Sequence, residues 1–557
     1  MLDLKIQNAR IFTMDPRRPQ ATVMGILHGR IVGLDEEVSA LSARRVVDCR
    51  GSVVVPGFSD SHNHMAWFGQ SLVELDLSAC TSPGELYGLV AAVAARLGDG
   101  EWVVGSGYDD AAMGSHPDRL ELDKAAGGRP VWLKHRSGHM CTVNTEVLRR
   151  AGILDGTATI PAGGSVVTRE GQLTGLLLEQ AQKLVGELVL PYSVSHLADA
   201  IARASSVYAA EGLTHVTEAG IGAGWIGRSP VELAAYTEAR NRGALQTRVQ
   251  LMVSSDALHT LRGHALDGID LGLDLGITTG FGDDRIRVGA MKIFVDGSLI
   301  GRTAAVTEPF CDHHHDSDGF QSSVEDIRAK IVDAHRSGWT VAAHAIGDEA
   351  IDVALDAFAD AQRRHPRDDV RHRIEHAAMV RPDQIRRFAQ LRVTPVPQMH
   401  FLHELGDSML QAVGSRRESW TYRHRSFLDA GLRIPGSSDR PVASGAPLLG
   451  MQSMVLRKTM GGRVIGPEET VTADEALHAY TVDAAWAAGE EHRRGRLGAG
   501  MLADIVVLSH HPAEVPPQNI STIDVIATIV GGDIVHGGES LEAGSVQTPA
   551  PMAYSRS

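Results

Sequence analysis

The sequence predicts an α/β protein with a (β/α)8, TIM-like barrel, a small β-sandwich domain from both termini, and an α/β insertion. Three observations support this prediction. Eight strand candidates recur along the chain, and several are followed by alanine- and arginine-rich segments of helical period, such as SVEDIRAKIVDAHRSG. Short runs of alternating apolar and polar residues lie near both ends of the chain. One long gap separates the first barrel strand from the second.

The two ends of the chain are predicted to form the sandwich together. DLKIQNARIFTM, ATVMGILHGRIVGL and RRVVDCRGSVVVPG have the alternation of antiparallel strands, and ADIVVLSHHP and VIATIVGGDIVHGG form a matching pair near the other end. Each set alone has too few strands to bury a face well. We therefore assign residues 1–57 and 490–540 to one β domain. Residues 541–557, rich in proline and serine, are predicted to be a disordered tail.

The barrel is predicted to comprise residues 58–70 and 210–489. Its strand candidates are 51–58, 213–218, 248–254, 286–295, 339–344, 372–376, 393–398 and 434–438. The intervening residues 71–209 contain strand candidates of their own, EWVVGSGY and RPVWLKHR, together with helical segments. We therefore predict an inserted α/β subdomain after the first barrel strand.

The composition argues against several classes of function. Hydrophobic residues make up 43% and charged residues 22% of the 557 positions, as in an ordinary globular protein. The net charge of −15 argues against nucleic-acid and anionic-membrane partners. No run of about 18 apolar residues occurs, and the charged N-terminal segment does not resemble a signal peptide. The four cysteines form no CxxC pair, which favours a reducing, cytoplasmic location.

Histidine is abundant, at 26 of 557 residues, and four histidines occupy equivalent places in the predicted barrel. His62 and His64 follow the first strand in PGFSDSHNH, and side chains two apart in an extended segment point the same way. His344 and His376 end later strands, and Asp439 follows IPGSS. Because barrel active sites lie at the strand C-termini, these five side chains predict a site for a divalent ion such as zinc.

Lys292, in the otherwise apolar segment VGAMKIFVDG, admits two interpretations. A nearby dication would repel an ammonium group, so the amine is either paired with a carboxylate, such as Asp296 or Glu218, or chemically altered. A carbamate formed with carbon dioxide could bridge two metal ions about 3.5–4 Å apart. The spacing alone favours the salt bridge.

The ordered series PGFSDSHNH, MKIFVDGSL, HAIGD, RIEHA and SSDRPV, followed by YTVDAAWAAGEEHRRGRLGAGMLADIVVL, resembles the amidohydrolase superfamily. More narrowly, it resembles the YtcJ-like branch (amidohydrolase family 3), which includes N-substituted formamide deformylases. The resemblance extends over residues 4–538. It implies a metal-bearing barrel with a flanking β-sandwich, and a hydrolase of carbon–nitrogen bonds other than peptide bonds.

The resemblance also implies a role for each candidate residue. Two Zn²⁺ ions per chain would form a binuclear metal centre, with Lys292 as a carboxylated lysine that bridges them, which reverses the preference from spacing alone. Asp439 would be both ligand and catalytic proton shuttle, and Asp60 would support the HxH loop. The implied metal ligands are His62, His64, Lys292, His344, His376 and Asp439.

The substrate-facing residues are assigned from the insertion and from the loops around the barrel mouth. SGHMCTVNT resembles the SGH…N motif of the branch, so His139 and Asn144 would face the substrate. Trp67 and Tyr108 are expected in the pocket walls, together with the loop at 311–320. The triplet His313, His314 and His315 in that loop is either a third metal site or part of a solvated lid, and the lid is favoured. The residues considered around the barrel mouth are thus Trp67, Tyr108, His139, Asn144 and His313–His315.

The first functional hypothesis is an amidohydrolase that cleaves a small N-acyl or N-formyl compound, a deacylase. Metal-activated water would attack the carbonyl group, with Asp439 as general base and then general acid. An alternative is a hydrolase of a cyclic amide, carbamate, lactone or ester on the same metal centre, because the ligands do not distinguish these bonds. A non-catalytic barrel scaffold is a third interpretation, disfavoured because all six candidate ligands are present. The expected partner is a small-molecule amide; a homodimer is compatible with apolar helices on the barrel exterior.

Overall fold

The computed structural model describes residues 1–98, 100–222, 226–311 and 319–538. The histidine triplet at 313–315 and the predicted tail at 541–557 lie outside these residues. No described helix is long and apolar enough to cross a membrane.

The chain begins with short strands whose side chains alternate between buried and partly exposed positions, as in Leu2–Gln7. Strands β1, β4, β5 and β6 form a four-stranded sheet, and β2, β3 and β7 belong to a second sheet. The strands are β1 (Leu2–Gln7), β2 (Arg10–Phe12), β3 (Gln20–Ala21), β4 (Met24–Leu27), β5 (Arg30–Leu34), β6 (Ala43–Asp48) and β7 (Val53–Pro56).

The first barrel strand is β8 (Phe58–Asn63), and helix α1 (Met65–Ser71) follows it. The predicted strand at 51–58 is therefore wrong in its placement. Val53–Pro56 belongs to the second terminal sheet, whereas Phe58–Asn63 pairs in parallel with the next barrel strand. The change of partner falls after Gly57, whose backbone N–H donates to Asp504 O at 2.9 Å, whereas that of Phe58 donates to Gly212 O at 3.1 Å.

The insertion forms one mixed sheet of six strands with helices packed against it. Its strands lie in the order β13-β14-β12-β11-β10-β9. The elements are β9 (Leu75–Asp76), α2 (Pro83–Ala94), β10 (Val103–Tyr108), α3 (Asp110–Met113), α4 (Arg119–Ala126), β11 (Val131–His135), β12 (Met140–Val143), α5 (Thr145–Arg150), β13 (Gly164–Arg169), β14 (Gln172–Glu179), α6 (Lys183–Val189) and α7 (Val194–Ala210).

Barrel strands and helices then alternate. Serine side chains begin two of the helices, where Ser193 accepts a hydrogen bond from the backbone N–H of His196 and Ser323 accepts one from Asp326, each at 3.2 Å. The elements are β15 (Leu213–Ile221), α8 (Glu232–Asn241), β16 (Arg248–Ser254), β17 (His259–Thr260), β18 (Leu271–Gly272), β19 (Ile286–Phe294), α9 (Val324–Arg336), β20 (Val341–Ala345), α10 (Asp348–Arg364), β21 (Arg373–His376), α11 (Pro382–Leu391), β22 (Thr394–Val396), α12 (Phe401–Glu404), α13 (Gly406–Arg417), α14 (His424–Asp429), α15 (Pro447–Leu456), α16 (Ala473–His478) and α17 (Ala484–Ala487).

Seven parallel strands of the described chain form the barrel sheet, in the order β22-β21-β20-β19-β16-β15-β8. The eighth candidate, 434–438, is buried but is not a strand. Pro435 cannot donate to a ladder, and a Cβ on Gly436 would lie 2.6 Å from the Tyr480 ring. The segment still links the two edges, because the backbone N–H of Ser61 bonds to Gly436 O at 2.8 Å and that of Met399 bonds to Ser437 O at 3.1 Å. The barrel is thus nearly closed.

The last three strands of the described chain join the sheet that contains β2, β3 and β7. β23 (Ile505–Leu508), β24 (Val525–Val530) and β25 (Asp533–His536) extend the second terminal sheet, in which β23 is antiparallel to β7. This sheet has the order β25-β24-β23-β7-β2-β3. Strands from both ends of the chain therefore share one apolar core.

Candidate metal centre

The two histidines of the HNH segment lie at the end of the first barrel strand. His62 is the second-last residue of β8, and His64 directly follows this strand. His62 is completely buried, and His64 is 8% exposed. Nδ1 of His62 bonds to the Glu375 carboxylate, which leaves Nε2 directed elsewhere. Nδ1 of His64 lies 3.4 Å from Oε1 of Glu218. Both rings therefore have one nitrogen oriented by a carboxylate, as is common for metal-ligating histidines.

Asp439 lies directly beside this pair. Its Oδ1 atom is 3.3 Å from Nε2 of His62 and 3.1 Å from Nε2 of His64. The backbone N–H of Asp439 donates to His62 O at 2.8 Å, so the two segments are fixed to each other. Burial opposes ionisation, but His62 and His64 outweigh it and hold the pKa of the Asp439 carboxyl well below its ordinary value. The side chain is thus an anion in this site.

His344 and His376, at the ends of β20 and β21, complete the histidine cluster. Their ring centroids are 4.3 Å apart, and the His376 ring is 5.0 Å from that of His62. Nδ1 of His376 is 2.7 Å from Oε1 of Gln398, and Nε2 of His344 is 2.9 Å from the carbonyl oxygen of Gly297. Burial lowers the pKa of His376 to about 3 and that of His344 well below its ordinary value. Both rings are therefore neutral, the form that ligates metal ions.

Lys292 lies within β19 and is 1% exposed. Among the described residues, no carboxylate forms an ion pair with its amine, and Oδ1 of Asp296 lies instead 3.7 Å from Nε2 of His344, so the salt bridge expected from spacing is not formed. Asp296 instead accepts backbone hydrogen bonds from Ala305, Ile346 and Gly347. Burial lowers the pKa of the Lys292 amine to about 8, so part of it is neutral near neutral pH.

Three carboxylates support the histidines without being candidate ligands themselves. Glu375 pairs with Arg373 as well as with His62, and Glu218 accepts a 2.6 Å hydrogen bond from Tyr236. Asp60 accepts from the backbone N–H of His62 at 3.1 Å and so supports the HxH segment. Glu375 stands directly before a candidate ligand in RIEH, which is the one signal that singles it out.

The arrangement fits a cation. One ligand atom from each of His62, His376 and Asp439 lies within 4.8 Å of the others. Nε2 of His62 and Oδ1 of Asp439 are buried and make no hydrogen bond within the described chain. Buried polar atoms without a partner are costly. A divalent ion between them would satisfy both atoms, and nitrogen with carboxylate oxygen is a donor set that zinc accepts.

A cavity of about 20 Å³ adjoins these ligands and has His139, His376 and Asp439 in its wall. Nδ1 of His139 is 2.8 Å from Oε2 of Glu179, and its ring centroid lies 5.7 Å from that of His344. The ring of Trp67 lies 5.6 Å from that of His64. The structure therefore brings both His139 and Trp67 to the cluster.

Two predicted substrate residues are not brought there. Tyr108 is buried in the core of the insertion, and its hydroxyl is 2.9 Å from Oγ1 of Thr142. Asn144 begins α5, where its Oδ1 accepts from the backbone of Val147 and of Val131 and its Nδ2 donates to Arg129 O. The polar groups of both residues are therefore engaged in the fold. The SGH…N resemblance identified the region of Asn144 but not the direction of its side chain.

A second group of metal-ligating types lies in the insertion and consists of Asp109, Asp110 and His135. Oδ1 of Asp110 is 3.0 Å from Nε2 of His135. Asp109 pairs with Arg136 at 2.8 Å and caps α3 through the backbone N–H of Ala111. Nδ1 of His135 is 2.8 Å from Oγ of Ser137.

A parallel barrel with histidines and an aspartate gathered at its strand C-termini defines a metal-dependent hydrolase of the TIM-barrel class. The chain belongs to the amidohydrolase family, since the model described as "Amidohydrolase family" matches residues 45–536. The resemblance found in the sequence motifs is thereby confirmed, and the protein is a hydrolase of this family.

Three similar proteins illustrate the relationship. YtcJ of Bacillus subtilis, named as an amidohydrolase, is 30% identical over 88% of this chain and 90% of its own. The N-substituted formamide deformylase of Arthrobacter pascens is 30% identical over 96% and 98%. A crystal structure of an uncharacterized metal-dependent hydrolase from Pyrococcus horikoshii has a TM-score of 0.73 and 26% identity, with 92% of this chain and 99% of that chain covered.

Proposed function

We propose that the protein hydrolyses the carbon–nitrogen bond of a small N-acyl or N-formyl compound. The observation that carries this proposal is the buried Asp439 carboxylate, whose Oδ1 has no hydrogen-bond partner in the described chain and lies against two histidines. The similarity to a formamide deformylase supports an N-formyl group.

The residues that would hold metal are His62, His64, Lys292, His344, His376 and Asp439. We propose two Zn²⁺ ions per chain, with Lys292 carboxylated on its side-chain nitrogen. A partly neutral, buried amine is suited to reaction with carbon dioxide. When bound, such ions lower the pKa of water toward about 7 and polarise a carbonyl group.

Asp439 has the position and charge of a proton carrier. As an anion it accepts a proton from the attacking water, and as an acid it delivers that proton to the leaving nitrogen. Without this delivery the amide nitrogen would leave as a very unstable anion. Glu375 and Gln398 hold the rings of His62 and His376 in the orientation that keeps their other nitrogens free for a ligand.

The first experiment is metal analysis of protein purified without chelators, followed by substrate comparison. We expect about two equivalents of metal per chain. N-formyl and N-acyl amines are then compared with lactones, esters, carbamates and cyclic amides of similar size. Hydrolysis confined to the second group would overturn the proposed substrate class.

The carboxylated lysine has a separate test. Carbon-13 NMR after incubation with labelled bicarbonate is expected to show a carbamate signal that Lys292→Ala lacks. The same variant is expected to lose metal and activity and to recover part of both with added formate or acetate. A fully active Lys292→Ala enzyme that retains its metal would contradict the proposed role of Lys292 in holding metal.

A further inference from the structure

The space beside the candidate ligands is too small for an organic substrate. Its 20 Å³ accommodates about one water molecule or ion. A second cavity of about 450 Å³ lies nearby, between the barrel and the insertion, within the usual range for small-molecule pockets. The non-reacting part of a substrate therefore requires the larger cavity.

Single side chains separate this cavity from the metal site. The Trp67 ring lies 5.6 Å from the ring of His64 and also lines the cavity. It packs against Gly138, where a Cβ would lie 2.6 Å from the ring. Ile226, another lining residue, packs against Gly220, where an added Cβ would lie 3.7 Å from Cγ of Lys292. The cavity is thus one residue away from the proposed ligands.

The walls are aromatic and carry cationic groups. Trp67 and Trp132 contribute their rings to the lining. Of the lining cations, Lys134 pairs with Glu74 and lies over the Trp132 ring, with its nitrogen 4.6 Å from the centroid. Lys183 lies 3.9 Å from Asp256. These two cations therefore already have carboxylate partners.

Arg228 is the exception. Its guanidinium lies over the Trp67 ring, 5.3 Å from the centroid, and its Nε atom is buried without a hydrogen-bond partner. In the parts of the chain that the structure describes, no carboxylate lies within 4.0 Å of the guanidinium nitrogens, since Glu232 accepts instead from the backbone N–H of Arg228 at 2.9 Å. Glu187 also contributes a carboxylate to the cavity lining, but this residue is exposed to solvent and forms no ion pair with the Arg228 guanidinium. An oxyanion such as a carboxylate or a sulfonate would pair with this guanidinium through charge-assisted hydrogen bonds.

We propose that this cavity binds an aromatic group bearing an anionic substituent, and that the substrates are N-acyl or N-formyl derivatives of such aromatic acids. The aromatic ring packs between the tryptophans, and the anion pairs with Arg228. This inference rests on the proposed function for its reaction, but binding in the cavity can be measured without turnover.

The binding test uses benzenesulfonate, an aromatic anion and a weak metal ligand, in calorimetric titration of the metal-loaded enzyme. We expect it to bind more tightly than methanesulfonate, which lacks the ring, and than benzylamine, which carries the opposite charge. Arg228→Gln is expected to weaken benzenesulfonate binding about tenfold or more, and Arg228→Lys by less.

Arg386→Gln, the same change at an exposed position on α11, is the matched control and is expected to bind as the wild type does. Thermal unfolding verifies that each variant is folded. Unchanged benzenesulfonate affinity in folded Arg228→Gln, or equal affinity for benzylamine in the wild type, would overturn the proposal.

A kinetic comparison links the cavity to turnover. N-formyl-4-aminobenzoate is expected to exceed formanilide in kcat/KM by about tenfold, mainly through a lower KM, and Arg228→Gln is expected to abolish this preference. A preference that persists in Arg228→Gln would overturn the assignment of the anion to Arg228. If neither formamide is cleaved while benzenesulfonate still requires Arg228, the proposed reaction fails and the binding site stands.

Discussion

The described chain contains two clusters of metal-ligating residue types, one at the barrel strand ends and one in the insertion. In the barrel cluster, Nε2 of His62 and Oδ1 of Asp439 are buried without hydrogen-bond partners. In the insertion cluster, Asp109, Asp110 and His135 are engaged with one another, with Arg136 or with backbone N–H groups. The same residue types are therefore arranged for different purposes.

The difference lies in the polar atoms that remain free after folding. Buried donors and acceptors without hydrogen-bond partners cost free energy, so an ion bound between Nε2 of His62 and Oδ1 of Asp439 would stabilise the barrel cluster. A cluster whose lone pairs are already used by neighbours gains less from an ion, because binding must first break those contacts. The barrel cluster is thus suited to metal and the insertion cluster to stabilising a loop.

The largest expected effect comes from matched carboxylate substitutions in the two clusters. Asp439→Asn should lower kcat/KM by about a thousandfold or more, because it removes the proton carrier and a ligand together. Asp110→Asn should leave the metal content unchanged. Metal analysis and steady-state kinetics on both variants test this difference between the barrel cluster and the insertion cluster. Equal metal loss in the two variants would contradict it.

An intermediate effect is expected from Glu375, which orients His62 without being a proposed ligand. Glu375→Gln should weaken metal affinity by about 10- to 100-fold, because the ring loses its charged partner. Competition with a chelator of known affinity measures the change. Glu469→Gln, which removes another buried, paired carboxylate, is the control; a similar loss there would mean that the effect is general destabilisation.

The smallest effect concerns stability rather than metal. Asp109→Ala removes the cap of α3 and the partner of Arg136, which together should cost about 1 kcal/mol of unfolding free energy. Denaturant unfolding of the metal-loaded enzyme measures this value, and metal analysis of the same preparation should show no loss. A drop in metal content would instead assign an ion to the insertion cluster.

The sequence predicts the barrel cluster because hydrophobic strands and their C-terminal ends can be read from residue patterns. His62, His344, His376 and Asp439 all follow that rule. The partners of these residues do not, since Glu375 reaches His62 from a distant segment of the chain. Such a contact depends on how the barrel closes, and no local pattern reports it.

The errors in the fold prediction have local causes. Within the apolar run VVVPGF, the chain passes from the second terminal sheet to the barrel sheet at Pro56 and Gly57. The single predicted strand therefore covers parts of two strands, β7 and β8. The eighth barrel segment is buried but contains Pro435 and Gly436, and it closes the barrel through a few hydrogen bonds only. Asn144 shows the limit for side chains, because a polar residue in a motif can serve equally as a helix cap.

The pairing of β7 with β23 has a consequence for synthesis on the ribosome. Val53–Pro56 emerges early, but its partner Ile505–Leu508 is translated on the order of tens of seconds later, at typical rates of about 5–20 residues per second. Until then β7 has an unpaired apolar edge, the kind of edge that invites association with other chains. A nascent chain that stops short of residue 505 lacks the partner of β7 and keeps this edge open.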